Sequence, residues 1–193
     1  MTTAARRRGF SLVELLVVVA ILLVIAAMAT PAFMNIIATT RLRASVGGLS
    51  GLLQNCRMVA VKTNRTMTVH FTAIAAGPVA YIKPAGDLSP ISADDPQVQF
   101  GAPISKVTVP SGTGAPSELD PAVLGFTPIT PDPAFNARGL PCNYSSTACT
   151  GNVGFAYYFR DSRTMNSNGW AALSITPAGR VKTWYWNGFQ WRD

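Results

Sequence analysis

Arg180 and Lys182 are separated by one residue, and side chains two apart on a β-strand project from the same face about 6.6 to 6.8 Å apart. That spacing is close to the phosphate repeat along one nucleic-acid strand, so the pair could bridge two phosphates. Trp184 and Trp186 continue the same parity and offer either stacking for unpaired bases or core packing. The two uses conflict, because tryptophans turned into the core of a regular strand would carry Arg180 inward with them. Phosphate binding therefore requires Arg180 to sit in a turn before the ladder begins, and Pro177 and Gly179 supply turn residues there. Otherwise Arg180 and Lys182 are a solvated hairpin end. Arg160 and Arg163 are candidates to extend the patch, beside a loop of Asn166, Asn168 and Gly169.

Other reactive residue types are few. Cys142 and Cys149 enclose six residues, Asn143 to Ala148, in a polar stretch, and in an exported protein such a pair is expected to form a disulfide. A zinc site lacks a second Cys or His pair. Cys56 falls on an apolar helical stripe and reads as a small buried hydrophobe. His70 is the single histidine, within an alternating strand, with no nucleophile-elbow glycines to build a Ser-His-Asp arrangement around it. No catalytic residue, metal or cofactor is expected, and the chain is not expected to be an enzyme.

The elements that position these residues begin with the amino terminus. The chain has 193 residues, 13% charged, with a net charge of +7. That length allows one domain of ordinary size plus appendages. From Leu15 to Ala29 no residue is polar, and Gly9 to Ala29 admits only Ser11 and Glu14 among 21 residues. Roughly 20 apolar residues suffice for a helix to cross hydrocarbon. Arg6, Arg7 and Arg8 precede the run and keep that end on the cytoplasmic side. Glu14 argues against a cleaved secretory signal, since an unpaired carboxylate in an apolar run costs about 2.5 to 3.5 kcal/mol on insertion scales.

Arg8, Gly9, Phe10, Ser11, Leu12, Val13, Glu14, Leu15 and Leu16 resemble the cleavage and methylation signature of type IV pilins and pseudopilins. The resemblance implies that a prepilin peptidase cuts after Gly9 and methylates Phe10, so that residues 1–9 are a leader. It also implies that the uncut apolar segment, residues 10–31, stays as the inner-membrane anchor and later as the filament core. Glu14 would then meet the amino-terminal ammonium of a neighbouring subunit in an assembled filament, neutralising a charge otherwise unpaired.

Residues 32–193 are expected to form the exported, periplasmic domain. Pro31 should kink or locally melt the helix. Beyond it Leu42, Val46, Leu49, Leu53, Cys56 and Ala60 recur at intervals of three and four, giving an amphipathic helix over about 39–62 that packs one stripe on a sheet. From residue 66 onward the period becomes alternating. Thr66 to Thr72, Val79 to Lys83, Gln97 to Phe100, Lys106 to Pro110, Val153 to Arg160, Trp170 to Thr176 and Arg180 to Trp186 read as strands. Residues 111–137 read as surface loop with a short strand near Val123 to Phe126, and Asn187-Gly188 reads as a two-residue hairpin turn before Phe189 to Trp191. The fold class is α+β, a long amino-terminal helix packed on antiparallel β-sheets.

Leu52 through Cys56, Arg57, Ala60 and Asn64 to His70, with Phe135 to Gly139 and Ile175 to Trp184, resemble the minor pilins and pseudopilins called FimT and GspH. In that group the helix lies across two antiparallel sheets. Gly179-Arg180-Val181-Lys182 resembles a glycine-arginine-any-basic signature associated, in FimT-type minor pilins, with DNA binding during natural transformation. Charge is segregated to match. Residues 39–83 carry six cations and no acid, 84–137 carry Lys106 against six acids, and from Arg138 onward six cations face two acids. The resemblance implies a minor subunit of a type IV pilus, with other pilins, the inner membrane and DNA as partners. A GspH-like pseudopilin of type II secretion, with other pseudopilins and exported proteins as partners, shares the anchor, the helix and the sheets, and a free-standing membrane-anchored binding domain would predict no processing at Gly9.

Overall fold

The structure is a computed structural model that describes residues 11–74, 77–101, 104–107, 132–145, 148–151, 153–163, 169–187 and 189–193. The expected cleavage site Gly9–Phe10, the short strand near Val123 and the loop residues Asn166 and Asn168 lie outside them.

One helix, α1 (Leu12–Thr63), spans 52 residues, about 78 Å at the usual rise. It runs unbroken through Pro31. The expected melting does not occur, because a proline costs the helix one amide donor while the flanking residues keep their own backbone bonds. Next to it the Thr30 hydroxyl donates to the Ala26 carbonyl at 2.9 Å. The helix ends at Asn64, which takes the left-handed conformation at φ 52°, a region asparagine enters more readily than most residues. Asn64 and Arg65 return their amides to the Val61 and Ala60 carbonyls, closing the last turn.

The two halves of α1 have opposite environments. Leu42, Val46, Leu49, Leu53, Cys56 and Ala60 are all buried, joined by Ala38 and Leu52, so the three-and-four spacing marks the packed stripe as the sequence predicts. From Leu12 to Ile25 the apolar side chains are exposed instead.

Eleven strands are described: β1 (Met67–Ile74), β2 (Gly77–Pro84), β3 (Gln97–Gln99), β4 (Ile104–Val107), β5 (Ala134–Phe135), β6 (Pro141–Ser145), β7 (Ala148–Thr150), β8 (Phe155–Asp161), β9 (Trp170–Ile175), β10 (Val181–Trp186) and β11 (Trp191–Arg192). They form two antiparallel sheets in the orders β3-β2-β1-β5-β6-β7 and β11-β10-β9-β8-β4. The helix stripe, Val69 and Ile82 of the first sheet, and Phe159, Leu173 and Ile175 of the second share one core. The alternate residues of the second sheet, Tyr158, Ala172, Trp184 and Trp191, form a smaller cluster on its outer face, as a period of two requires.

Two expectations are corrected here. The stretch around Cys142 and Cys149 is not an open polar loop but the β6–β7 hairpin, with Asn143 opposite Thr150 and Tyr144 opposite Cys149. The last hairpin has a four-residue connection, since Trp186 pairs with Trp191. Its turn is fixed by Asn187, whose Oδ1 accepts from the amides of Phe189 and Gln190 at 3.0 and 2.9 Å, a side-chain mimic of a backbone turn.

Candidate functional site

Three surfaces hold the residues singled out by sequence. The first is the apolar half of α1. Glu14 lies in its first turn, and no part of the most apolar stretch of this helix is buried. The stretch is long and apolar enough to cross a membrane.

The second surface is the β9–β10 turn. Thr176 donates its amide to the Arg180 carbonyl at 2.9 Å and accepts from Gly179 at 2.7 Å, while its hydroxyl accepts from the Arg180 amide at 3.1 Å. Arg180 is therefore a turn residue, preceding the first β9–β10 pair, Ile175 opposite Val181. That is the arrangement phosphate binding demands. Gly179 has φ 80°, a conformation glycine adopts without steric cost, and its carbonyl accepts from Arg57 Nη1 at 3.2 Å.

A second glycine turn abuts the first. Asn136 Oδ1 accepts from the amides of Arg138 and Leu140 at 2.9 and 3.1 Å, and Gly139 has φ 73°. A Cβ on Gly139 would lie 3.0 Å from Val61 Cγ2 and 3.1 Å from Arg57 Cγ, and one on Gly179 would lie 3.2 Å from the Gly139 carbonyl oxygen. The two turns thus close over the Arg57 side chain, and the Gly-Arg pair of the motif is positioned by an arginine 122 residues earlier. Sequence reading missed this role. Its signal was that Arg57 follows a buried stripe position, Cys56. An open groove of about 610 Å³ runs beside the turn, lined by Arg57, Met58, Val61, Lys62, Arg180 and Val181.

Lys182 does not share that groove. It lies on the outer face with Trp184, its Nζ 4.7 Å from the ring centroid and 3.4 Å from Asp193 Oδ2. Trp184 is buried and donates Nε1 to Ser174 Oγ at 3.0 Å. The tryptophan enters the outer cluster rather than the main core, so the side-by-side pairing expected of Arg180 and Lys182 is broken by the turn.

Arg160 and Arg163 do not extend the Arg180 turn. Arg160 is opposite Trp170, at the other end of β9 from Ile175, about 17 Å along the strand. Its guanidinium lies 5.2 Å from the Trp170 ring centroid. Arg163 is bound to Asp161 through Nη2 at 2.9 Å and Nε at 3.2 Å. Burial pushes the Asp161 carboxyl upward, but the Arg163 side-chain and backbone hydrogen bonds outweigh it and hold the pKa below the ordinary carboxylate value.

The third surface is stapled. Cys142 and Cys149 form a disulfide with Cα atoms 5.5 Å apart, closing the β6–β7 hairpin. Cys56 is fully buried, and burial pushes its thiol pKa up to about 12. His70 Nδ1 is 2.8 Å from Asp132 Oδ2. Among the described residues no group of three or more His, Cys, Asp or Glu side chains could hold a metal ion.

No curated protein and no solved structure matches the chain. Residues 4–30 match the prokaryotic N-terminal methylation motif. That motif ends within the bare half of α1 and overlaps Gly9, Phe10 and Glu14. The chain thus carries a type IV prepilin-like signal at its amino terminus, joined to one long helix packed on antiparallel sheets.

Proposed function

We propose that the chain is a minor, non-catalytic subunit of a type IV pilus that helps pilus assembly and contacts DNA through Arg180, with Lys182 in support. The observation that carries the pilus reading is the exposed apolar half of α1, which behind a prepilin signal has two burial partners: lipid before assembly and the helices of other subunits after it. For DNA, the support is that Arg180 stands in a turn and shares its groove with Arg57 and Lys62. Three cations on one groove favour a polyanion.

The engagement of Lys182 with Asp193 and Trp184 favours a second reading. In it the motif is a solvated hairpin end and the chain is a GspH-like pseudopilin of type II secretion. One experiment separates them. Single-stranded DNA binding by the detergent-solubilised chain is measured across salt for wild type and the Arg180→Gln, Lys182→Gln double variant. Each phosphate contact contributes about 0.7 to the slope of log affinity against log salt, so the variant should lose affinity and show a shallower slope. Equal binding, or none by either protein, would sink the DNA reading. Mass spectrometry of sheared filaments should separately find a mature chain beginning at methylated Phe10.

A further inference from the structure

The opposite end of the second sheet carries different chemistry. β10 runs back along α1: its entry turn rests on Arg57 through Gly179, and its exit lies beside Arg43, whose guanidinium is 5.2 Å from the Tyr185 ring centroid. A cleft lined by Ile36, Thr40, Arg43, Trp170, Trp186 and Asn187 closes that end. The strand therefore travels toward the apolar half of the helix, and the loop after it, held by the Asn187 turn, carries Phe189 at 91% exposure.

The height of this end above a bilayer follows from the helix. About 20 residues from Leu12 fill the hydrocarbon and bring the chain to about Pro31. Ile36 is then about 7 Å farther along the axis, within the headgroup layer, which extends roughly 5 to 8 Å beyond the hydrocarbon on each side. Phe33 and Ile36 stay exposed on α1 across this interval. Tryptophan is favoured at that depth because its ring is apolar and its N–H is wet. Cations are favoured by anionic lipid phosphates. Arg41, Arg43 and Arg160 are all exposed at this end. Asp161, which acts electrostatically on Arg41, is buried and held by Arg163.

We infer that, before assembly, the β9–β10–β11 end of the domain rests in the headgroup layer of the membrane that holds its anchor, with Phe189, Trp186 and Trp170 at the interface and Arg41, Arg43 and Arg160 just above it, near enough to be drawn by anionic lipid phosphates across the screening length of about 8 to 10 Å. This inference rests on Leu12–Pro31 being the anchor, and the test separates the two. A nitroxide is placed on the full chain at Phe189→Cys, at Ala178→Cys in the opposite turn, or at Val19→Cys within the apolar half. The native cysteines do not compete, since Cys56 is buried with a raised pKa and Cys142 and Cys149 are bonded. The protein is reconstituted at low density into phosphatidylcholine vesicles with and without phosphatidylglycerol. Accessibility is read with oxygen, which enriches in the bilayer, and with a nickel chelate, which stays in water.

The label at 189 should be several-fold less accessible to nickel than the label at 178. The gap should widen with phosphatidylglycerol and narrow in an Arg41→Gln, Arg43→Gln, Arg160→Gln background. Equal nickel accessibility at 189 and 178, with the label at 19 buried in lipid, would overturn the inference. So would protection at 189 that ignores both the anionic lipid and the arginine changes, or that rises with protein density as contact with a second copy would. A label at 19 that reads as aqueous would instead refute the anchor.

Discussion

Arg57 and Arg43 stand on the same helix almost four turns apart, so both face the second sheet with about 21 Å between them. Each touches one end of β10, and the contacts differ in kind. Arg57 donates to a backbone carbonyl inside a pair of interlocked glycine turns, whereas Arg43 lies over an aromatic ring at the edge of an open cleft. At the first end the geometry belongs to the backbone and fixes where Arg180 stands. At the second it belongs to side-chain surfaces, which can exchange one apolar neighbour for another. A hairpin thus presents a cationic tip and an aromatic base without changing its register, because the residues that differ sit in the turns and the ladder between them is shared.

That shared ladder is the place to break both ends at once. Trp184→Ala removes one of the two buried tryptophans of the outer cluster and its bond to Ser174, and should destabilise the domain by about 3 to 5 kcal/mol in a denaturant titration. A loss below about 1 kcal/mol would mean that the outer cluster does not tie the ends together. The comparison itself is sharpened by the two arginines. Arg57→Ala forfeits a hydrogen bond from a charged donor, about 1.5 to 3 kcal/mol, and should also disturb the backbone amide resonances of Gly139 and Gly179. Arg43→Ala forfeits an exposed cation–ring contact, about 0.5 to 1 kcal/mol, and should leave the glycine turns unmoved. Equal costs at the two positions would show that the ends are held alike.

How far the sequence announces this arrangement varies by element. The helix stripe is legible because Leu42 to Ala60 keep a strict helical interval and every member is buried. The longer strands are legible for the corresponding reason: Phe155, Tyr157 and Phe159 alternate into the core. Strand β5 is two residues long, too short for any period, and β6 and β7 carry Asn143, Ser145 and Thr150, which read as loop until a ladder and a disulfide bind them. Pro31 is a strong local breaker outweighed by the helix on both sides of it. At the candidate site, the need for a turn before Arg180 follows from strand parity alone. Its anchoring by Arg57 does not, since nothing local marks a contact across 122 positions. The separation of Arg160 from Arg180 is likewise a matter of register, which charge counting along a chain does not encode.

The unbroken helix has a mechanical meaning. A rod running from Leu12 to Thr63 has no slack, so any axial displacement of its exposed apolar half reaches the domain undiminished. For a domain seated on a membrane as inferred above, drawing the subunit into a filament would lift the aromatic base off the lipid in the same stroke, and the work of that detachment would fall on whatever pulls the helix. Compliance is left in bending, and Pro31, where one backbone bond is missing, is where the rod would flex first.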